Sequence, residues 1–249
     1  MTGFGPYFVS EPRLVARKDG ASDWRPLSDL LDGDVVAERV GVARQTLVEL
    51  TGLNRDDIDE RAVASITFLG LASRLLSPPL AAAVVEGAVP VPDRLWWRPV
   101  PGGPIPIAYD GLTAVECGEP SSIADVLTST ATQRLVAPLL EAYRRRFSVS
   151  PQVMWGNVAS ALGGAAGMIA DAAPEHAARA AAVVEAALDR APLRGMATLV
   201  RPDPARARWF LVRRNCCLYY RIPGGGTCGD CVLTPEPVRR QQWQSVLSR

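Results

Sequence analysis

The chain has little histidine, almost no lysine and almost no net charge, and each shortage excludes a class of function. His176 is the only histidine, which excludes a multi-histidine metal site and argues against Ser-His-Asp and Cys-His mechanisms. Lys18 is the only lysine among 27 basic residues, which stand against 26 acidic ones at a formal net charge of +1. A chain balanced in this way has no overall field for nucleic acid or anionic membranes, so any electrostatic function is local.

Long hydrophobic runs are also missing. The longest weakly polar stretch, residues 155–170, is short for a bilayer and rich in glycine and alanine. The first residues show neither the basic region nor the apolar segment of an export signal. We therefore expect no integral membrane segment and a cytoplasmic location, where cysteine thiols stay reduced.

Helical periodicity covers most of the chain and predicts a mostly helical α+β protein. We expect a helical body with a short β-like entry over residues 1–192, followed by a β/loop module with a closing helix over 193–249. Apolar pieces on either side of a turn at Lys18–Gly20 predict the entry. Pro78 and Pro79 predict the end of a helix that begins near Asp56. The pair Gly163 and Gly167 predicts one close helix crossing.

Five cysteines are few for 249 residues, but their positions are informative. Cys117 lies apart from the others, and we interpret it as an inert buried thiol. The remaining four follow the pattern C-C-x10-C-x2-C at Cys216, Cys217, Cys228 and Cys231. Four thiolates within sixteen residues can enclose a metal centre, either structural zinc or an iron–sulfur cluster.

The spacing of the four cysteines favours the cluster over zinc. A zinc ribbon brings its ligands as two C-x2–4-C turns, whereas the first pair here is adjacent. Neighbouring side chains of an extended strand point to opposite faces, so the pair shares a centre only where the backbone bends. The run Gly224–Gly226 lets backbone N–H groups approach sulfur. Seven arginines against Asp203 over residues 194–221 give a local charge of +6, which would offset an anionic cluster.

The segment from Cys216 to Cys231 closely resembles the C-terminal signature of FhuF-type ferric-siderophore reductases. Its sequence is Cys-Cys-Leu-Tyr-Tyr-Arg, then three glycines, then Cys-Gly-Asp-Cys. In that family the pattern C-C-x10-C-x2-C ligates one [2Fe–2S] cluster. The resemblance covers about the last forty residues, with a weaker likeness over residues 96–104. It implies that Cys216, Cys217, Cys228 and Cys231 are ligands of a [2Fe–2S] cluster.

The resemblance also implies a reaction, the one-electron reduction of Fe(III) in an imported ferric siderophore with release of Fe(II) in the cytoplasm. Such a reaction needs a low-potential centre and a surface that holds the chelate, but no catalytic residue beyond the cluster. We expect the chelate to be held by five side chains, those of Arg213, Arg214, Tyr219, Arg221 and Trp97. The sequence has no G-x-G-x-x-G after a predicted strand and no P-loop motif, so we expect an external electron donor such as a ferredoxin or flavoprotein.

Two alternatives from other classes stay open. A ferredoxin-like electron carrier would use the same cluster without a chelate site, although 249 residues exceed what a carrier needs. A zinc-stabilised binding protein would instead use the arginine-rich, aromatic C-terminus on nucleic acid, a partner we do not expect at a net charge of +1.

Overall fold

The computed structural model describes residues 2–16 and 23–248, and these form a mostly helical α+β fold as predicted. The turn expected at Lys18–Gly20 lies outside the described residues. The α-helices are α1 (Arg13–Ala16), α2 (Gly33–Thr51), α3 (Glu60–Glu86), α4 (Pro120–Leu127), α5 (Ala137–Phe147), α6 (Pro151–Ala172), α7 (Ala177–Leu188) and α8 (Glu236–Leu247). A nine-residue π-helix, Thr128–Val136, connects α4 to α5.

The strands form two small sheets. They are β1 (Glu11–Pro12), β2 (Arg25–Pro26), β3 (Ala88–Trp97), β4 (Ile107–Glu116), β5 (Ala197–Val200) and β6 (Phe210–Arg213). The first sheet has the order β1-β4-β3-β2, in which β3 and β4 form a long antiparallel hairpin and β1 runs parallel to β4. The second sheet is the antiparallel pair β5-β6, and β6 leads directly into the cysteine segment.

The β-like N-terminal entry is only partly as predicted. Tyr7 lies in a 3-10 turn, Pro6–Phe8, and Arg13–Ala16 is one turn of helix. The extended pieces among the described residues of this entry are the short strands Glu11–Pro12 and Arg25–Pro26. The proline at the start of the turn already has the φ that a helical turn needs, which explains why this short apolar piece is not extended.

The prediction that Pro78 and Pro79 end a helix is wrong. Helix α3 runs from Glu60 to Glu86 through both prolines. Each proline removes one backbone N–H from the helical ladder, which alone would favour a break. The apolar residues on either side, such as Leu76 and Leu80, are fully buried, and this packing keeps the helix continuous.

Helices α3 and α6 pack along each other and form the centre of the core. Both are long and apolar enough to cross a membrane, but 78% of the apolar window in each is buried inside the protein. Asp59 caps the start of α3 by accepting hydrogen bonds from the N–H groups of Arg61 and Ala62, at 2.8 and 3.3 Å. Ser150 caps α6 by accepting a hydrogen bond from the N–H of Gln152, and a proline follows in the first turn.

One face of α6 carries glycines that admit the second sheet. A Cβ atom on Gly163 would lie 2.4 Å from the side chain of Leu211, and one on Gly167 would lie 3.0 Å from that of Arg208. The close approach predicted from these two glycines is therefore made by strand β6 and by Arg208 just before it, rather than by another helix. On the same face, a Cβ on Gly156 would lie 1.9 Å from the side-chain oxygen of Asn215, one residue before the cysteines.

Candidate metal centre

The cysteine segment folds as a set of turns after strand β6 ends at Arg213. Leu218, directly after the adjacent cysteine pair, has a left-handed backbone with φ of 69°, and a 3-10 turn follows over Tyr219–Arg221. The chain therefore turns directly after the adjacent pair, which is not part of a continuous extended strand. Cys217 and Cys231 are buried, while Cys216 and Cys228 are half-buried. The segment is thus anchored on the body and still reaches the surface.

The four cysteines are free thiols, and four sulfur donors are the ligand set that a two-iron cluster takes. The Sγ atoms of Cys217 and Cys228 lie 3.5 Å apart. Among the residues that the structure describes, no three side chains of His, Cys, Asp or Glu are grouped closely enough to hold one metal ion. A [2Fe–2S] cluster binds its four thiolates as two pairs, one pair at each iron. The donor set therefore fits the cluster.

Backbone N–H groups reach two of the sulfurs. The N–H of Leu218 donates to Cys216 Sγ and that of Leu233 donates to Cys231 Sγ, each at 3.3 Å. The expectation that the glycine run supplies such donors is not met by any described hydrogen bond. Gly224 and Gly226 instead have left-handed backbones, with φ of 77° and 70°, that carry the loop from one cysteine pair to the other.

The electrostatics of the paired thiols favour one negative charge between Cys217 and Cys228. The hydrogen bond with Cys228 lowers the pKa of Cys217 to about 6, and the guanidinium of Arg213 acts in the same direction. The same hydrogen bond, together with burial, raises the pKa of Cys228. Burial raises the pKa of Cys216 as well. Thiolates are the ligand form for iron, so Cys217 is the cysteine closest to that form.

Arg213 is buried beneath this segment, with 1% of its surface exposed. Its Nη1 donates to the side chains of Asn157 and Ser160, at 2.8 and 3.2 Å. Its Nη2 donates to the side-chain oxygen of Asn215 at 2.9 Å and to the carbonyl of Val153 at 3.2 Å. A side chain so enclosed does not contact a bulky chelate, so the structure argues against the substrate-binding role expected for Arg213. It holds the cysteine segment on α6.

The polar chain continues from Arg213 to the backbone of the cysteines. Asn157 accepts from Arg213 and donates, through Nδ2, to the carbonyl and hydroxyl oxygens of Ser65 at 2.8 and 2.9 Å. The hydroxyl of Ser65 donates in turn to the carbonyl of Cys217 at 2.7 Å. Asn157 and Ser65 are both fully buried. Two core helices are thereby connected to one cysteine by satisfied hydrogen bonds, which fix its position.

The second cysteine pair is held by the closing helix. Arg239 of α8 donates from Nη2 to the carbonyls of Cys231 and Thr234, at 3.1 and 2.8 Å. The hydroxyl of Thr234 bonds that of Thr227 at 3.0 Å, which ties together the two sides of the second turn. Sequence reasoning did not identify Ser65, Asn157 or Arg239 as site residues.

The other four residues expected to hold the substrate lie in different surroundings. Arg214 is exposed, and no described acceptor or carboxylate engages its side chain. Arg221 forms an ion pair with Asp59, at 2.9 Å, which joins the segment to the cap of α3. Tyr219 is half-buried, and its ring lies against Gly225, where an added Cβ would be 3.3 Å away. Of the four, Arg214 is the exposed residue whose side chain has no described partner.

Trp97 lies away from the cysteines. It is 2% exposed and lines a cleft of about 330 Å³ between α2, α3 and the loop of residues 99–105. Ile66, Thr67 and Gly70 of α3 border this cleft, whereas Ser65 faces the cysteine segment. At 100° per residue these three positions point away from Ser65, so the body of α3 separates the Trp97 cleft from the cysteines.

Comparison with known families agrees with the site. Residues 213–233 match the family model of the FhuF 2Fe-2S C-terminal domain. The match begins at the buried Arg213, ends two residues after Cys231 and implies a [2Fe–2S] cluster in this segment. No curated protein matches the chain.

Proposed function

We propose that the chain is a ferric-siderophore reductase, which transfers one electron to Fe(III) in a siderophore complex and so releases Fe(II) in the cytoplasm. The observation that carries the proposal is the FhuF-type segment of residues 213–233, which contains all four cysteines and reaches the surface of a large helical body at Cys216 and Cys228. Hard oxygen ligands hold Fe(III) far more tightly than Fe(II), so one added electron makes the iron exchangeable.

The four cysteines would hold a [2Fe–2S] cluster, which supplies single electrons at low potential when bound. The residues around them position the thiolates and keep water from one side of the site. Cys217 and Cys231, both 3% exposed, form the inner side, and Cys216 and Cys228 form the side that meets solvent. The N–H groups of Leu218 and Leu233 stabilise negative charge on the sulfurs that they contact.

The chelate would approach over the half-buried sulfurs of Cys216 and Cys228. Tyr220 and Arg214 are close in sequence to the adjacent cysteine pair, and both side chains are exposed. Tyr220, 47% exposed, offers an aromatic face, and Arg214 offers a cation. Both groups suit a ligand with planar acidic oxygen donors. An open surface accommodates a bulky chelate without a conformational change in the body. Electrons would come from an external donor such as a ferredoxin or flavoprotein.

The test is an anaerobic titration of the reduced holoprotein with several ferric siderophores, with Fe(III)–EDTA as the control. We expect cluster reoxidation that saturates with siderophore concentration and yields one Fe(II) per cluster, trapped by a ferrous-specific dye. Reoxidation at the same unsaturable rate by every Fe(III) chelate would mean that the chain is an electron carrier without a chelate site. A colourless protein with one bound zinc would instead support the zinc-stabilised alternative.

A further inference from the structure

A second cleft lies farther along α3 and is separate from the cysteine segment. Its volume is about 130 Å³, and it is bordered by α3, the β3-β4 hairpin and the π-helix Thr128–Val136. Arg74 of α3 forms part of its wall and lies nine residues after Ser65, which is about 13 Å along the helix axis. The volume is below the usual range for drug-sized ligands, so the cleft suits a molecule much smaller than a ferric chelate.

The walls of this cleft are apolar and its charges are all positive. Prolines and aliphatic side chains make up most of the lining residues, among them Pro78, Pro92 and Leu112. Arg74 and Arg134 also line it, and no aspartate or glutamate is among the lining residues. An apolar pocket with two cations and no anion complements a ligand that has one acidic group and a short apolar part.

Arg74 is the stronger indication, because it is a buried cation without a counterion. It is 4% exposed, and its Nε and Nη1 donate to the carbonyls of Ile105 and Pro6, at 2.7 and 2.9 Å. No ion pair to Arg74 is found within the described residues. Burial lowers its pKa to about 10, so it still carries its charge at neutral pH. A buried charge without an anion is costly, and an anionic ligand would remove that cost.

Arg134 stands at the rim of the cleft on an unusual backbone. It belongs to the nine-residue π-helix, a conformation that is rare and concentrates at functional sites. Thr130, Ala131 and Leu135 of the same π-helix line the cleft beside it. Arg134 also borders a neighbouring cleft that contains Asp93, yet the two form no ion pair. Its guanidinium is exposed and available to a ligand.

We propose that this cleft binds a small amphipathic carboxylate, whose acidic group lies between Arg74 and Arg134 and whose alkyl or aryl part lies against the proline and leucine walls. The ligand is distinct from the ferric chelate, so the site is a second binding site on the same body. Its occupancy neutralises the buried charge of Arg74, and Arg74 in turn holds the carbonyl of Ile105 at the edge of the Trp97 cleft.

Calorimetric titration of the holoprotein with octanoate tests the proposal. Octanol, which lacks the negative charge, and acetate, which lacks the long alkyl group, are the controls. We expect saturable 1:1 binding of octanoate and at least about tenfold weaker binding of both controls. Equal binding of octanol and octanoate, or no saturation of octanoate binding below about 10 mM, would overturn the proposal.

Variants place the ligand in this cleft. Arg74→Gln removes the buried cation but also frees two backbone carbonyls, so its stability has to be measured alongside its binding. Arg134→Glu and Leu112→Glu change exposed side chains and should each weaken octanoate binding about tenfold without loss of folding. Arg55→Gln, an exposed arginine on another face, is the matched control and should bind as the wild type does. Octanoate affinity within twofold of wild type in both glutamate variants would rule out this cleft, whatever the outcome of the siderophore titration.

Discussion

The hydroxyl of Ser65 donates a 2.7 Å hydrogen bond to the carbonyl of Cys217, although 152 residues separate the two in the chain. The bond is buried and belongs to a hydrogen-bond network that extends through Asn157 to Arg213. The adjacent cysteine pair is therefore positioned by the core of the body as well as by its own turn.

Serine variants of the four clustered cysteines should lose or shift the visible absorption of the cluster. The reason is that Cys216, Cys217, Cys228 and Cys231 lie in one segment that implies a [2Fe–2S] centre. Cys117→Ser is the matched control, because Cys117 is buried outside the cysteine segment. Its backbone N–H donates to the carbonyl of Gly87. An unchanged spectrum for a variant of Cys216 or Cys217 would show that the adjacent pair gives only one ligand.

Gly156→Ala should detach the cysteine segment from α6. A Cβ at this position would lie 1.9 Å from the side-chain oxygen of Asn215, so Asn215 and its bond to Arg213 must move. Gly164→Ala on the same helix is the control, because nothing lies within 4 Å of its Cβ position. It should stabilise the helix by about 0.5–1 kcal/mol. Iron content and urea unfolding of both variants measure the effect, and equal cluster retention would contradict it.

Arg213→Ala should destabilise the protein by about 3 kcal/mol or more, because it leaves several buried acceptors without a donor. Arg213→Lys should recover only part of this loss, since one ammonium cannot reproduce the planar set of bonds. Arg214→Ala, at the exposed neighbouring position, should change the free energy of unfolding by less than about 0.5 kcal/mol. Similar unfolding midpoints for the two alanine variants would show that the network around Arg213 does not hold the segment.

Asp59→Asn should weaken the protein at neutral pH but not in acid. Burial opposes ionisation of Asp59, yet the hydrogen bonds from Arg221 and from the N–H groups of Arg61 and Ala62 lower its pKa below the ordinary 3.8. A lowered pKa stabilises the fold above the unfolded pKa, and this contribution disappears as pH falls through the folded pKa. Asparagine keeps the helix cap and removes the charge. The difference in unfolding free energy should be below about 1 kcal/mol, should be fully present above about pH 5 and should shrink progressively as the pH falls below the unfolded pKa and through the folded one. A difference that stays constant as the pH falls would contradict the ion-pair account.

Arg214→Gln and Trp97→Phe separate two locations for the chelate. If the chelate lies over Cys216 and Cys228, Arg214→Gln should raise the siderophore concentration needed for half-maximal reoxidation, while Trp97→Phe leaves it unchanged. The cluster potential of the Arg214 variant should be measured as well, because a changed potential with unchanged saturation would mean that the arginine acts on the cluster charge. The reverse pattern, with Trp97 sensitive and Arg214 silent, would move the chelate to the Trp97 cleft.

The cysteine segment and the cluster that it implies were predictable from the sequence, because the four cysteines are close together in the chain and belong to one residue type. The sequence did not predict the burial of Arg213, although a signal was present. Leu211 and Arg213 are two residues apart in a strand, so they share its buried face. The positive charge of the surrounding residues suggested that Arg213 is exposed to solvent. The alternation of side chains along the strand instead places it in the core, beside Leu211.

The residues that hold the segment from the body were missed for a different reason. Ser65 and Asn157 are single polar residues in otherwise apolar helices, and nothing in their own neighbourhoods points to residues 213–217. Asn157 in the middle of α6 was the available signal, because a lone amide in a buried helix needs a partner from elsewhere in the fold. The two prolines of α3 misled the helix prediction, since burial on both sides outweighs their local preference.

The order in which the ribosome makes these parts has a consequence for maturation. Asn157 precedes Arg213 by 56 residues, which at about 5–20 residues per second is roughly 3 to 11 seconds of translation. Ser65 and Gly156 are also synthesised before the cysteine segment that packs against them. The residues that position the cysteine segment are thus synthesised before the cysteines. Iron loading is therefore a late step, and it depends on the earlier part of the chain having folded.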